Sequence, residues 1–185
     1  MIKYLKKHGC YFLGFLVLLE VVIINIFPEG YVIVGGDTPQ LIFQGSSLGN
    51  LFYDWQGRAS IFYSIFWFLD KVGVSDTTQL SFYLGIFIFG SYISFDIFTR
   101  ILFPKNGNFL RMVVSLFYAL NLYTLYVFSY AWGYSYYQSL YIFIPLLIAL
   151  YIKFITARKN IWGAFFLLIL LLSSSGFGNP AFALS

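Results

Sequence analysis

Residues 79–103 read QLSFYLGIFIFGSYISFDIFTRILF, and this run decides the class of fold. A helix that spans a membrane needs roughly 20 predominantly apolar residues, and this run has that length with only Asp96 and Arg100 charged. Similar apolar runs lie at residues 11–27, 112–131, 139–155 and from residue 161 past residue 172. The sequence therefore predicts an all-α fold, a polytopic transmembrane helical bundle of about five spans.

The composition of the 185 residues indicates the same environment. Hydrophobic residues make up 60% of the chain and charged residues only 10%, whereas a soluble domain carries about 25% charged residues. Because so few charges cannot cover a water-exposed surface, membrane lipid is the expected solvent and partner. The predicted location is the plasma membrane, as a multi-pass protein.

The charges and the rare residue types argue against several function classes. The net charge is +4, but the basic residues stand in short clusters between apolar runs. That pattern is typical of membrane topology, so no nucleic-acid partner is expected. One cysteine, Cys10, and one histidine, His8, do not make a zinc site or an internal disulfide. The chain has no P-loop and no GxSxG motif, so phosphate-loop and serine-hydrolase chemistry have no support.

Basic and acidic residues fall on opposite sides of the predicted membrane. Nine of the eleven basic residues lie on one side: Lys3, Lys6, Lys7, Arg100, Lys105, Arg111, Lys153, Arg158 and Lys159. The other side holds five acids and two basic residues: Glu29, Asp37, Asp54, Asp70 and Asp76, with Arg58 and Lys71. Since loops rich in lysine and arginine stay in the cytoplasm, the N-terminus is expected there, and residues 28–78 form an extracytoplasmic loop.

The residues near the two ends of the chain indicate how it relates to a longer protein. The lysines at the start precede an apolar run without a small-residue cleavage site, so the first span is expected to remain as an anchor. A stretch of small and polar residues, 173–180, interrupts the fifth span, and a new apolar run starts at residue 181. We therefore expect residues 1–185 to be a single transmembrane domain, the N-terminal part of a longer protein.

The loop at residues 28–78 is too long for a simple connector and is rich in apolar residues, which predicts short interfacial helices at the outer surface. It contains GGDTPQ at residues 35–40. Asp37 or Thr38 can cap a helix that has Pro39 in its first turn. Asp37 can equally act as a general base, because a carboxylate at a lipid–water boundary is partly desolvated. The two roles are compatible.

Three short stretches carry a resemblance to a known family: Gly36-Asp37-Thr38, Tyr118-Ala119-Leu120-Asn121 and Gly178-Asn179-Pro180. With an acid in the first outer loop after a cytoplasmic anchor, the chain resembles the GT-C superfamily of membrane glycosyltransferases. Within it, the chain is similar to the N-terminal membrane region of arabinofuranosyltransferase-like proteins. The resemblance implies a polyprenyl-phosphate sugar donor, in some members a divalent metal ion, and an outer-loop acid as general base. Asp37 is the position that inherits this role, with Asp54 as the second choice.

Two neighbours of Asp54 are candidates for substrate binding. Arg58 has a planar guanidinium that suits the oxygens of a lipid phosphate, and Trp55 can stack on a sugar ring. Both residue types are also typical of membrane interfaces, where arginine extends toward water and tryptophan anchors the helix. No metal ligands and no oligomeric state can be assigned from the sequence.

Three polar residues fall inside predicted spans, and each has a structural interpretation. Glu20 can be protonated or hydrogen-bonded to a neighbouring helix, Asp96 can pair with Arg100 one turn later, and Asn121 can join two helices. The aromatic turn at residues 130–138 is expected at the outer side, as part of an aromatic belt or as a sugar-stacking surface.

Two alternatives to a glycosyltransferase stay open. In a transporter or flippase, Glu20 and the broken fifth helix would line a substrate path. A non-catalytic membrane protein of envelope assembly, similar to YfhO-like accessory proteins, would need none of these residues for chemistry.

Overall fold

The computed structural model describes residues 2–24, 68–69, 71–105, 107–121, 124 and 135–177. These residues form five principal helices: α1 (Ile2–Ile24), α2 (Asp76–Leu102), α3 (Asn108–Leu120), α4 (Ser135–Ala157) and α5 (Asn160–Phe177). Within these ranges no residue is in a β-strand, so the all-α prediction is confirmed for the described part of the chain.

Each helix runs in the direction opposite to the helix before it. The contacts between helices establish this. Along two parallel helices the residue numbers of contacting pairs increase together, whereas along two antiparallel helices one number increases as the other decreases. Helix α1 is antiparallel to α2 and parallel to α3, α2 is parallel to α4, and α4 is antiparallel to α5. The contacts are Tyr11–Arg100, Phe15–Phe89, Tyr11–Asn108, Gly14–Met112, Gly90–Ile142, Ser94–Leu146, Gly163–Phe154 and Tyr151–Phe166.

The alternating directions give the bundle two distinct ends. At the basic end α1 and α3 begin, α2 and α4 finish, and α5 begins, so Lys3, Arg100, Lys105, Arg111 and the basic residues of the α4–α5 turn share that end. At the opposite end, named the loop end, α1 finishes at Ile24, α2 begins at Asp76, α4 begins at Ser135 and α5 finishes at Phe177.

Helix α2 lies at the centre and contacts α1, α3 and α4. Glycine permits two of these close approaches: Gly14 of α1 faces Tyr92, and Gly90 of α2 faces Ile142. A core of mostly large apolar side chains fills the space between the helices: Leu18, Tyr83, Leu84, Phe87, Ile88, Tyr92, Ala119 and Ile142. Close packing of these side chains joins α1, α2, α3 and α4 into one core.

Many large apolar side chains are exposed on the described helices, and some polar groups are buried between them. Large apolar side chains are exposed along the outward faces, among them Phe12 on α1, Phe117 on α3 and Leu171 on α5. Ser91, Ser94, Asp96, Thr99 and Ser115 are buried between helices. Two helical segments, Ser81–Leu102 and Leu140–Ala157, are long and apolar enough to cross a membrane. The apolar segments Gly9–Ile24, Asn108–Leu120 and Asn160–Leu171 are shorter.

The helix bounds differ from the predicted spans in three places. Helix α1 begins at Ile2 and so includes the lysines that precede the first apolar run. Helix α3 has 13 residues, and Asn121 after it is extended, with φ −71° and ψ 164°; most of the predicted span from 121 to 131 lies outside the described residues. Helix α5 continues to Phe177, so the expected interruption does not begin at Ser173.

Candidate functional site

The four residues predicted to act on substrate lie outside the described residues. Asp37, Asp54, Trp55 and Arg58 belong to the segment between α1 and α2, and their roles stay predictions. The structure does describe the helix ends that carry this segment. Helix α1 finishes and helix α2 begins at the loop end, opposite the basic end.

The junction between this segment and α2 is well defined. A short helical turn at Phe68 and Leu69 closes at Gly73, which has φ 77°, with Val74 N–H donating to the Leu69 carbonyl at 3.0 Å. This is the usual way for glycine to end a helical turn. Ser75 then caps α2, since its hydroxyl accepts from the Thr78 N–H at 3.4 Å. Leu69 packs against the core, so the segment rejoins the bundle at a packed position.

Two further predicted elements attach at the same end. Of the aromatic turn at residues 130–138, residues 135–138 are the first turn of α4, and the rest lies outside the described residues. The stretch at 173–180 is helical as far as Phe177. Ser173 stays helical because its hydroxyl donates to the Leu170 carbonyl at 3.1 Å, which satisfies the side chain within the helix.

A reciprocal pair of tyrosines joins α3 to α4. The Tyr118 hydroxyl donates to the Tyr141 carbonyl at 2.8 Å, and the Tyr141 hydroxyl donates to the Tyr118 carbonyl at 2.7 Å. The two rings stack with centroids 4.4 Å apart, and Phe95 of α2 stacks on Tyr118 at 4.3 Å. Pro145 lies inside α4 and has no N–H for the carbonyl four residues earlier. That carbonyl belongs to Tyr141, so the Tyr118 hydroxyl replaces the missing helical donor.

Asn121 and Thr124 complete this cluster where α3 ends. The Asn121 amide donates to the Tyr118 carbonyl at 2.9 Å and to the Tyr141 hydroxyl at 2.8 Å. The Asn121 side-chain oxygen accepts from the Thr124 N–H at 2.9 Å. The Thr124 hydroxyl lies 2.9 Å from the Tyr141 hydroxyl. The prediction that Asn121 joins two helices is therefore confirmed.

Tyr141 was not singled out from the sequence, although a signal for it was present. A proline in a buried helix leaves one carbonyl without a donor, and in an apolar environment that carbonyl must find another partner. Pro145 thus points to position 141, but the identity of the donor depends on the packing of α3 against α4.

A second polar cluster joins α1, α2 and α3 at the basic end. Nε and Nη2 of Arg100 both lie 2.7 Å from Oδ2 of Asp96, as predicted from their spacing. The guanidinium carbon of Arg100 lies 4.6 Å from the centre of the Tyr11 ring. Oδ1 of Asn108 accepts from the Tyr11 hydroxyl at 3.2 Å and from Nη2 of Arg111 at 2.9 Å. The single acid is engaged by an arginine, so this cluster is suited to holding helices together.

Three buried polar atoms near this cluster have no hydrogen-bond partner among the described residues: the Tyr92 hydroxyl, Oδ1 of Asp96 and Nε of Arg111. An unpaired buried polar atom costs about 1–3 kcal/mol. The junction of α1, α2 and α3 therefore combines close packing with incomplete polar pairing.

Glu20 does not face the interior of the described bundle. It is exposed on α1, away from the core residue Leu18. A role in a path through the described helices therefore has no support. Within the described ranges, no group of three or more histidine, cysteine, aspartate or glutamate residues is placed to hold a metal ion. A divalent metal ion at the outer loop stays a prediction.

Comparison with known proteins adds no relative to these observations. No protein-family model, no curated protein and no solved structure matches this chain.

Proposed function

We propose that this chain is the N-terminal membrane portion of a GT-C-like glycosyltransferase, which transfers a sugar from a polyprenyl-phosphate donor to an extracytoplasmic acceptor. Asp37 is the proposed general base, with Asp54 as the second choice. Arg58 and Trp55 are the proposed contacts to the donor phosphate and the sugar. The proposal combines the sequence resemblance with the arrangement of the helix ends.

One observation carries the proposal. Four helix ends lie together at the loop end: those of α1, α2, α4 and α5. They adjoin the loop at residues 28–78, the aromatic turn at 130–138 and the stretch of small and polar residues at 173–180. The basic residues lie at the other end. If the basic end is cytoplasmic, as the distribution of lysine and arginine indicates, the candidate residues attach on the outer side. A lipid-linked sugar donor is accessible there to an acid, a cation and aromatic rings.

The proposed reaction is a single displacement at the anomeric carbon. The oxygen of an acceptor hydroxyl attacks this carbon and forms the new glycosidic bond. The bond from the anomeric carbon to the phosphate oxygen breaks, and polyprenyl phosphate leaves with the electron pair. Asp37 takes the hydroxyl proton, and the positive charge of Arg58 offsets the charge on the leaving phosphate.

The test is Asp37→Asn in the complete protein. Asparagine caps helices as well as aspartate does, so this change keeps a cap and removes only the base. Release of polyprenyl phosphate from a polyprenyl-phosphate-linked sugar is measured in membranes, with the amount of membrane-inserted protein normalised. Loss of a general base is expected to slow release by about 10²–10⁴-fold.

Two further variants make this test specific. Asp54→Asn is expected to leave release within a few-fold of the parent protein if Asp37 is the base. Lys71→Gln changes one charge at the same end and is expected to have little effect, since Lys71 is exposed beside the start of α2. Unchanged release by Asp37→Asn at normal protein levels would remove Asp37 from the reaction.

A further inference from the structure

The basic end of the bundle carries positive charge that the described residues do not neutralise. Arg100, Lys105 and Arg111 lie around the α2–α3 connection, and Lys153, Arg158 and Lys159 lie around the α4–α5 turn. Among the described residues, Asp96 is the one acid at this end, and Arg100 engages it. Lys105, Arg158 and Lys159 are exposed, so their charges are accessible to an anion from outside the described bundle.

The α4–α5 turn keeps a cation where the backbone favours glycine. Arg158 has φ 51°, in the left-handed region, and its N–H donates to the Phe154 carbonyl at 3.0 Å as α4 ends. A side chain in that conformation costs roughly 1 kcal/mol relative to glycine. Arginine at this position therefore offers charge at some expense in backbone energy.

The two basic connections lie side by side. Helices α2 and α4 run parallel, with Gly90 beside Ile142 and Ser94 beside Leu146 in the same register. The same register places Leu102, where α2 ends, at the level of Phe154 in the last turn of α4, so the two connections start near each other. The cations of these neighbouring connections are together named the cationic rim, which consists of Lys105, Lys153, Arg158 and Lys159.

We propose that the cationic rim binds the phosphodiester headgroups of anionic phospholipids. Charge complementarity points to an anion, and the neighbouring surface indicates a lipid. Large apolar side chains are exposed directly beside the rim, on α3, α4 and α5: Phe109, Phe154, Ile155 and Ile161. A free phosphate ion or an acidic soluble protein would leave these side chains in water, whereas an anionic lipid covers them with its acyl chains. This inference is independent of the proposed glycosyltransferase reaction.

Trp162 provides a local reporter for the test. Its backbone N–H donates to the backbone carbonyl of Lys159 at 3.0 Å, so Trp162 lies in the first turn of α5, close to Arg158 and Lys159. The chain has four tryptophans, and changing Trp55, Trp67 and Trp132 to phenylalanine leaves Trp162 alone. The full chain is placed in phosphatidylcholine vesicles containing brominated phosphatidylglycerol or, separately, brominated phosphatidylcholine at the same mole fraction. Quenching of Trp162 by each brominated lipid gives their relative occupancy beside the rim.

The expected result is stronger quenching by the anionic lipid than by the neutral one. Each cation near an anionic headgroup favours that lipid about fivefold. Arg158→Gln with Lys159→Gln should therefore reduce the selectivity strongly, by about fivefold for each charge removed. The charge-preserving pair Arg158→Lys with Lys159→Arg is the matched control and should retain it. Salt at 1 M should weaken the selectivity, because it shortens the range of the interaction to about 3 Å.

Two results would overturn the proposal. Equal quenching of the parent protein by both brominated lipids would show that the rim does not select anionic headgroups. Retention of full selectivity by the neutralised pair would show that these cations are not responsible. The Arg158→Gly variant adds an internal check, because it relieves the backbone strain and removes the charge. It should fold at least as well as the parent and lose about fivefold of the selectivity, as expected for one charge.

Discussion

At the scale of single residues, Gly14 leaves the least space for a side chain among the described glycines. A Cβ atom there would lie 2.7 Å from the Tyr92 hydroxyl oxygen and 3.0 Å from Cγ of Met112. Both neighbours are buried, so Gly14→Ala should destabilise the bundle by about 1–3 kcal/mol through overpacking. Gly9→Ala in the same helix is the control, since nothing lies within 4 Å of its Cβ. It should stabilise slightly through helix propensity. Thermal unfolding in detergent micelles measures both; equal effects would contradict the close approach.

Some side-chain contacts of this protein could be predicted from the sequence and others could not. The Asp96–Arg100 pair was predictable because residues four apart on a helix face each other whatever surrounds them. The Tyr118–Tyr141 pair was not, since it depends on the register between two helices separated by a connection. Asn121 was predictable as a joining residue, but its partner Tyr141 was not. Contacts within one helix follow from spacing, whereas contacts between helices require the packed structure.

At the scale of one helix, α4 depends on a donor supplied by α3. Tyr118→Phe removes the hydroxyl that donates to the Tyr141 carbonyl, and removing one partner of such a buried hydrogen bond should cost about 1–3 kcal/mol. Pro145→Ala supplies an N–H at the position that normally bonds this carbonyl. In the Pro145→Ala background, Tyr118→Phe should therefore cost distinctly less. Unfolding of the four proteins of this cycle in detergent measures the coupling, and additive effects would contradict it.

A control for this cycle comes from α4 itself. Tyr151→Phe removes a hydroxyl from an exposed tyrosine whose ring contacts Phe166. It should change stability by less than about 0.5 kcal/mol in either background, as is usual for surface substitutions.

The helix bounds, like the Tyr118–Tyr141 pair, could be predicted from the sequence only in part. The apolar runs predicted α2 and α4 closely, but they did not predict the end of α3 at Leu120, where Asn121 bonds both to Tyr118 of α3 and to Tyr141 of α4.

At the scale of the whole molecule, the apolar composition and the charge distribution predicted the fold class and the basic end, whereas short motifs predicted little about the site. An all-α bundle followed from apolar runs of spanning length, and the alternating helix directions bring the basic clusters to one end, as the charge pattern required. The candidate base, Asp37, could be named only through its position in a loop and a family resemblance. Its neighbours in space cannot be derived from spacing, because spacing relates residues within one helix and Asp37 lies in a long segment between two helices.

The orientation of the bundle gives a direct test of the molecule as a whole. Helix α2 has 27 residues and is about 40 Å long, more than the roughly 30 Å hydrocarbon thickness of a membrane. Lys71 and Lys105 are exposed beyond its two ends. In a Cys10→Ser background, Lys71→Cys should react with a membrane-impermeant maleimide on intact cells. Lys105→Cys should react only after the membrane is opened. Labelling of both cysteines from outside would mean that α2 does not span the membrane. Labelling of Lys105→Cys alone on intact cells would place the basic end outside, against the preference of lysine and arginine for the cytoplasmic side.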